Sequence, residues 1–128
     1  MILYGIPNCN TIKKTINWLQ DHKIPFRLHN YKKEGISLAK LKEWNKEVGW
    51  PAFFNKSSST WKLQKKDITA LTAARALAIM KENPSIIKRP ILEYKGKLIV
   101  GYDEALYNKI FLKLLTFNSL SNKAICGF

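Results

Sequence analysis

The feature that most restricts this chain is a change of hydrophobic period close to its N-terminus. Met1-Ile2-Leu3-Tyr4 is a short apolar run suited to a buried strand. Gly5 and Pro7 break it. From Ile12 the apolar residues recur at i, i+4 and i+7 (Ile12, Ile16, Leu19), which is the period of a helix face. That helix is expected from near Thr11 to near His22, where Asp21-His22-Lys23 and Ile24-Pro25 stop it. Phe26 to Tyr31 then alternates apolar and polar, the mark of a second strand. A helical crossover between two strands implies that they pair in parallel, so a βαβ unit opens the chain.

Cys9 stands between the first strand and the helix. At a helix entrance the backbone N–H groups have no partner and the dipole is positive. Lys13 and Lys14 add charge in the first turns. A thiolate is the nucleophile of sulfur chemistry, and such a setting stabilises it. A buried structural cysteine is the plainer alternative; the loop context of Cys9 argues against it. His29 falls on the second strand and reads as a structural or surface histidine rather than a catalytic one.

The middle of the chain is helical. Ser37 is suited to cap a helix with apolar positions Leu38, Leu41, Trp44 and Val48, and Gly49 to end it. Trp50 to Phe54 is an apolar link, and Asn55 to Thr60 reads as a polar loop. A further helix is expected from Thr69 or Thr72 to Glu82, with Ala73, Ala76, Leu77 and Met80 as its apolar stripe and Asn83-Pro84-Ser85 as its stop. Ile91 to Tyr94 and Leu98 to Tyr102, joined through Lys95-Gly96-Lys97, read as a β-hairpin. Asp103 caps a last helix with Leu106, Ile110, Phe111 and Leu114 inside. The order β-α-β, helices, β-β-α is a thioredoxin-like plan: a mixed sheet flanked by helices, with a helical insertion at about residues 35–85 between the two halves. Residues 1–117 are expected to form one domain and 118–128 a dispensable tail whose Cys126 is not a resolving thiol.

Charge and cysteine content narrow the classes. The net charge is +13, from 22 basic and 9 acidic residues. The excess is lysine spread along the whole chain, with arginine only at positions 27, 75 and 89 and no nucleic-acid motif, so a dedicated nucleic-acid surface is not expected. Two cysteines at opposite ends make no disulfide framework, no Cys/His spacing suits zinc, and no apolar run approaches a membrane span, which together point to a reducing cytoplasm.

The stretch Tyr4-Gly5-Ile6-Pro7-Asn8-Cys9-Asn10-Thr11-Ile12-Lys13-Lys14 resembles the opening of the arsenate reductase-like, glutaredoxin-type family, and within it the YffB branch that lies near the Spx regulators. Glu82-Asn83-Pro84-Ser85-Ile86-Ile87-Lys88-Arg89-Pro90-Ile91-Leu92-Glu93 is similar to the family's second signature. Val100 to Glu104 resembles a third, and Gly49-Trp50, Asn55-Lys56 and Ser59 to Lys62 the middle one. The resemblance implies catalysis at Cys9 with Arg89 as the anion-binding arginine. It also implies substrate contacts from Asn8, Asn10, Thr11, Lys13 and Pro90, and a cis bond before Pro90. The helix-start N–H groups of Asn10 and Thr11 are expected to steady the sulfur, and glutathione or a glutaredoxin to resolve the adduct, with no metal. Three positions depart from the arsenate reductases: Gly5 stands where they carry a histidine, Gly101 where they carry an arginine, and Asn55-Lys56 where a further arginine falls. Asn10 replaces the aspartate usual in the YffB branch. Ile12 replaces the second cysteine of the Spx pair, which excludes a local disulfide. The resemblance therefore implies a glutathione-dependent thiol reductase that handles arsenate poorly. Its alternative is a non-enzymatic, Spx-like module that binds a protein such as RNA polymerase.

Overall fold

The computed structural model describes residues 1–7 and 9–112. Expectations resting on Asn8, Leu114, the tail from Asn118 and Cys126 lie outside the described residues. Four strands form one sheet in the order β2-β1-β3-β4. β1 (Ile2–Gly5) pairs in parallel with β2 (Arg27–Asn30), Gly5 opposite Asn30. On its other side β1 pairs antiparallel with β3 (Ile91–Tyr94), Tyr4 opposite Ile91. β4 (Lys97–Val100) completes a hairpin with β3. Lys95 and Gly96 turn that hairpin with φ of 48° and 76°, the left-handed pair that matches strand twist in a two-residue loop.

Period 2 along the strands divides the core. Leu3, Leu92 and Ile99 face α1 (Asn10–Asp21), which buries Ile12, Thr15, Trp18 and Leu19. The same face meets α7 (Glu104–Tyr107) and the wider helical turn Asn108–Leu112 that continues it. Tyr4 and Ile91 face the other layer. There α2 (Tyr31–Glu34), α3 (Leu38–Val48), α4 (Trp50–Phe53), α5 (Ser59–Leu63) and α6 (Ala73–Glu82) follow one another between β2 and β3. Trp44, Phe53, Trp61, Leu77 and Met80 are their main contributions to the core. Among the described residues, no helix is long and apolar enough to cross a membrane.

Local signals account for most boundaries. The Ser37 hydroxyl accepts from the Lys40 N–H at 3.1 Å, and Gly49 ends α3 at φ 83°. Thr72 caps α6, and Asp103 caps α7. Differences arise where neighbours override pattern. Lys32 to Glu34, a charged run that follows β2, belongs to α2, because the Asn30 side chain caps the Lys32 N–H at 2.9 Å. The apolar link at Trp50 to Phe53 is helical, with Pro51 in its first turn, where a missing N–H costs nothing. Ser59 and Thr60, expected in a loop, start α5. Val48 and Leu106 are exposed rather than buried. In the last helix Tyr107 and Phe111 take the inward positions, because Tyr107 packs edge-on against Trp18 at 5.3 Å and bonds the Gly101 carbonyl at 2.8 Å.

A polar cluster ties the sheet to the helical insertion. Glu93 on β3 accepts hydrogen bonds from the Tyr4 hydroxyl, from Lys40 Nζ at 3.2 Å and from Trp44 Nε1 at 3.2 Å. Burial pushes the Glu93 carboxyl up, but the bonds from Tyr4, Trp44 and Lys40 outweigh it and hold the group below its ordinary value of 4.5. A depressed carboxyl contributes stability that is fully present above pH 4.5 and lost as pH falls through its lower folded value. Glu93→Gln is expected to destabilise the protein by about 1–3 kcal/mol at neutral pH, since three donors lose a charged acceptor. Below pH 4.5 the gap between variant and wild-type melting temperatures should narrow; a gap that widens on acidification would contradict the assignment.

Candidate functional site

Cys9 is the N-cap of α1, with extended backbone at φ −96° and ψ 133°. Its carbonyl accepts the Lys13 N–H at 3.0 Å, and its own N–H donates to Ile6 O at 3.2 Å. The sulfur makes no close capping bond. Burial pushes the thiol up; the N–H groups of Ile12 and Thr11, then the Thr11 hydroxyl, then the Arg89 guanidinium, outweigh it and hold the thiol below its ordinary value. Cys9 is half-buried and packs on the α1 side of the sheet.

The N–H groups that favour the thiolate are those of Ile12 and Thr11, so Ile12 stands where Asn10 was expected beside Thr11. A cap residue's side chain meets the N–H groups two and three residues into the helix, while the first points elsewhere. Asn10, Lys13 and Lys14 are exposed, and the charge acting on the sulfur comes from Arg89. Thr11 is itself held, since the Thr15 hydroxyl donates to its carbonyl at 2.8 Å.

Both flanks of Arg89, whose charge lowers the Cys9 thiol, are anchored. Ile87 bridges Phe54 in an isolated antiparallel pair, Lys88 N–H donates to Phe53 O at 2.8 Å, and Asn55 N–H donates to Ile86 O at 2.7 Å. On the other flank the bond from Arg89 to Pro90 is cis, and the Pro90 carbonyl accepts the Gly101 N–H at 2.8 Å. His29 is engaged structurally, its Nε2 lying 2.6 Å from the Gly35 carbonyl.

The departures from the arsenate reductase pattern have physical form. A Cβ on Gly5 would run into the Ile12 side chain, which is fully buried, so no histidine fits there without moving the core. Gly101 has φ 87°, a conformation that side chains disfavour. Asn55 spends its side chain on the Ser57 N–H at 3.1 Å, and Lys56 is exposed. Ile12, at the spacing of a second cysteine, is core. The sequence pointed to none of the Gly5–Ile12 contact, because the partner lies on the next element.

A cysteine capping the first helix, beside a cis-proline that enters the antiparallel half of a mixed sheet, defines a protein of the thioredoxin-like fold. The ArsC family model matches residues 4–110, and the chain belongs to that family. An uncharacterized protein of Haemophilus influenzae is 40% identical over 110 residues, covering 85% of this chain and 96% of its own. The global transcriptional regulator Spx of Listeria innocua is 31% identical over 104 residues, covering 80% and 79%. Among solved structures, a YffB protein is 38% identical with a TM-score of 0.77, covering 84% of this chain and 96% of its own. An arsenate reductase (ArsC) related protein from Brucella melitensis is 40% identical with a TM-score of 0.69, covering 86% and 92%.

Iodoacetamide alkylation of Cys9 followed against pH should give a midpoint below that of the unfolded chain. Arg89→Met should move the midpoint up, and Thr11→Val should do the same by removing the hydroxyl. Lys13→Met should leave it within a few tenths of a unit, because an exposed charge is screened. A Lys13 effect larger than that of Arg89 would reverse the assignment.

Proposed function

We propose that this protein is a glutathione-dependent thiol reductase with Cys9 as its nucleophile. The observation that carries the reading is the Cys9 sulfur, held below its ordinary thiol value at the start of α1 beside the Arg89 guanidinium. The Cys9 thiolate attacks the glutathione sulfur of a mixed disulfide between glutathione and the substrate, which leaves glutathione on Cys9. The S–S bond breaks, and the departing thiolate takes a proton from water. A glutathione thiolate then attacks the Cys9 adduct, which releases glutathione disulfide and restores the Cys9 thiolate. Glutathione, or a glutaredoxin, is the reductant because no second cysteine follows at Cys-x-x-Cys spacing. Arg89 holds a carboxylate or oxyanion through its planar fork.

Incubation with glutathione disulfide should place one glutathione on Cys9 by intact mass and peptide mapping, and Cys9→Ser should lose both adduct and turnover. No adduct at Cys9, or turnover that survives Cys9→Ser, would refute the reading. Arsenate is expected to be a poor substrate. A tetrahedral oxyanion needs several donors at once, and Arg89 stands without the further arginines at Gly101 and Asn55-Lys56. Glutathione-coupled arsenate turnover should fall at least about a hundredfold below that of an arginine-complete arsenate reductase, as two missing charged hydrogen bonds of about 1.5–3 kcal/mol each would require.

The second reading is a non-enzymatic module that binds a protein partner such as RNA polymerase. It is favoured by 31% identity to a global transcriptional regulator over 104 residues. Polymerase capture that is unchanged by Cys9→Ser, in a protein without thiol turnover, would select it.

A further inference from the structure

The topology collects three groups at one edge of the sheet. β1 and β2 are parallel, so their C-terminal ends lie together, Gly5 opposite Asn30. β3 is antiparallel to β1, so its N-terminal end falls at the same edge, with Tyr4 opposite Ile91. The chain leaves this edge toward Cys9 after β1, at Tyr31 after β2, and enters it from Arg89-Pro90 before β3. Tyr31 is 2% exposed, with its ring 6.2 Å from Tyr4 and 6.0 Å from His29. Its hydroxyl is out of contact with solvent and has no hydrogen-bond partner among the described residues. Both ring neighbours are engaged elsewhere, Tyr4 with Glu93 and His29 with the Gly35 carbonyl.

Arg89 is also incomplete. It is half-buried, and no carboxylate pairs with it among the described residues. Its charge bears on both the Cys9 sulfur and the Tyr31 oxygen, at the sheet edge where the three segments meet. A buried phenol without a partner costs stability, and a half-buried cation without one does too. One anionic group seated between them would satisfy both.

We propose that Tyr31 is a ligand-binding residue of the Cys9 site, its hydroxyl donating to the carboxylate or other oxyanion that Arg89 draws to the sulfur. This deepens the thiol-reductase reading and rests on it for the identity of the anion, which there is a carboxylate of the thiol co-substrate. Burial keeps the phenol protonated well past its ordinary value, with Tyr4 adding to the effect and Arg89 opposing it, so the group is a donor and not an acceptor.

Tyr31→Phe deletes the hydroxyl and keeps the ring. If the hydroxyl waits for a ligand, the variant should melt at the same or a higher temperature than wild type, and it should bind anions less well. Inorganic sulfate, with chloride at equal ionic strength as control, should protect Cys9 from iodoacetamide. The half-protecting concentration should rise about tenfold in Tyr31→Phe, the loss expected for one charge-assisted hydrogen bond. Cys9 should react with glutathione disulfide about tenfold more slowly in the variant, and with the neutral 2-hydroxyethyl disulfide within twofold of wild type. A fall in melting temperature, sulfate protection that is unchanged or absent in wild type, or equal slowing with both disulfides would overturn the proposal. If wild type shows no preference for glutathione disulfide, the glutathione reading fails, and the sulfate measurement alone decides the role of Tyr31. If that preference holds and Tyr31→Phe keeps it together with full sulfate protection, the Tyr31 proposal fails alone.

Discussion

The antiparallel pairing of β1 with β3 is the constraint on which the site depends. Cys9 and Arg89 are far apart in sequence, and neither can bring the other near. Tyr4 opposite Ile91 does so, because it places the exit of β1 and the entrance of β3 at one edge of the sheet. A slip of β3 by one residue against β1 would turn Leu92 away from α1 and put Ile91 against it, so burial on both faces enforces the alignment. The Glu93 cluster adds a polar lock to the same pair of strands, with Tyr4 from β1 and Lys40 and Trp44 from α3 meeting one carboxylate.

Charge at the site is local, although the chain carries a net +13. Lysines exposed to water act through a high dielectric and are screened over about 10 Å, so their number matters little to one sulfur. Two backbone N–H groups, one hydroxyl and one half-buried guanidinium matter more, because they act at the helix entrance and are less exposed to water. The anchoring of Arg89 is therefore part of the electrostatics. Phe53, Phe54 and Asn55 hold the segment before it, and Gly101 holds Pro90 after it.

The same backbone bears on two glycines that mark the reading of this chain against the arsenate reductases. Gly5 lies against a buried isoleucine, and Gly101 has a left-handed backbone with its N–H committed to Pro90. An added histidine at the first position, or arginine at the second, would act on the packing as well as on the charge. The ArsC framework is retained here with glycine at both positions.

Much of the framework was legible in the order of residues. The change of period at Gly5 to Ile12 determined the first βαβ unit, and Ser37, Thr72 and Asp103 announced their helices because a cap is a short-range bond between near neighbours. Cys9 and Arg89 stood out because their motifs are local too. Other features depended on partners distant in the chain, which no local pattern encodes. The inward turn of Tyr107 in place of Leu106 follows from Trp18 and Gly101, and the exposure of Val48 follows from where α3 meets its neighbours. The influence of the Ile12 N–H on the sulfur, in place of that of Asn10, follows from the direction of the first helical turn. The unpartnered hydroxyl of Tyr31 belongs to the same group: the sequence determined an aromatic residue just after β2, and the tertiary structure alone decided that its oxygen is buried with nothing in the described chain to bond.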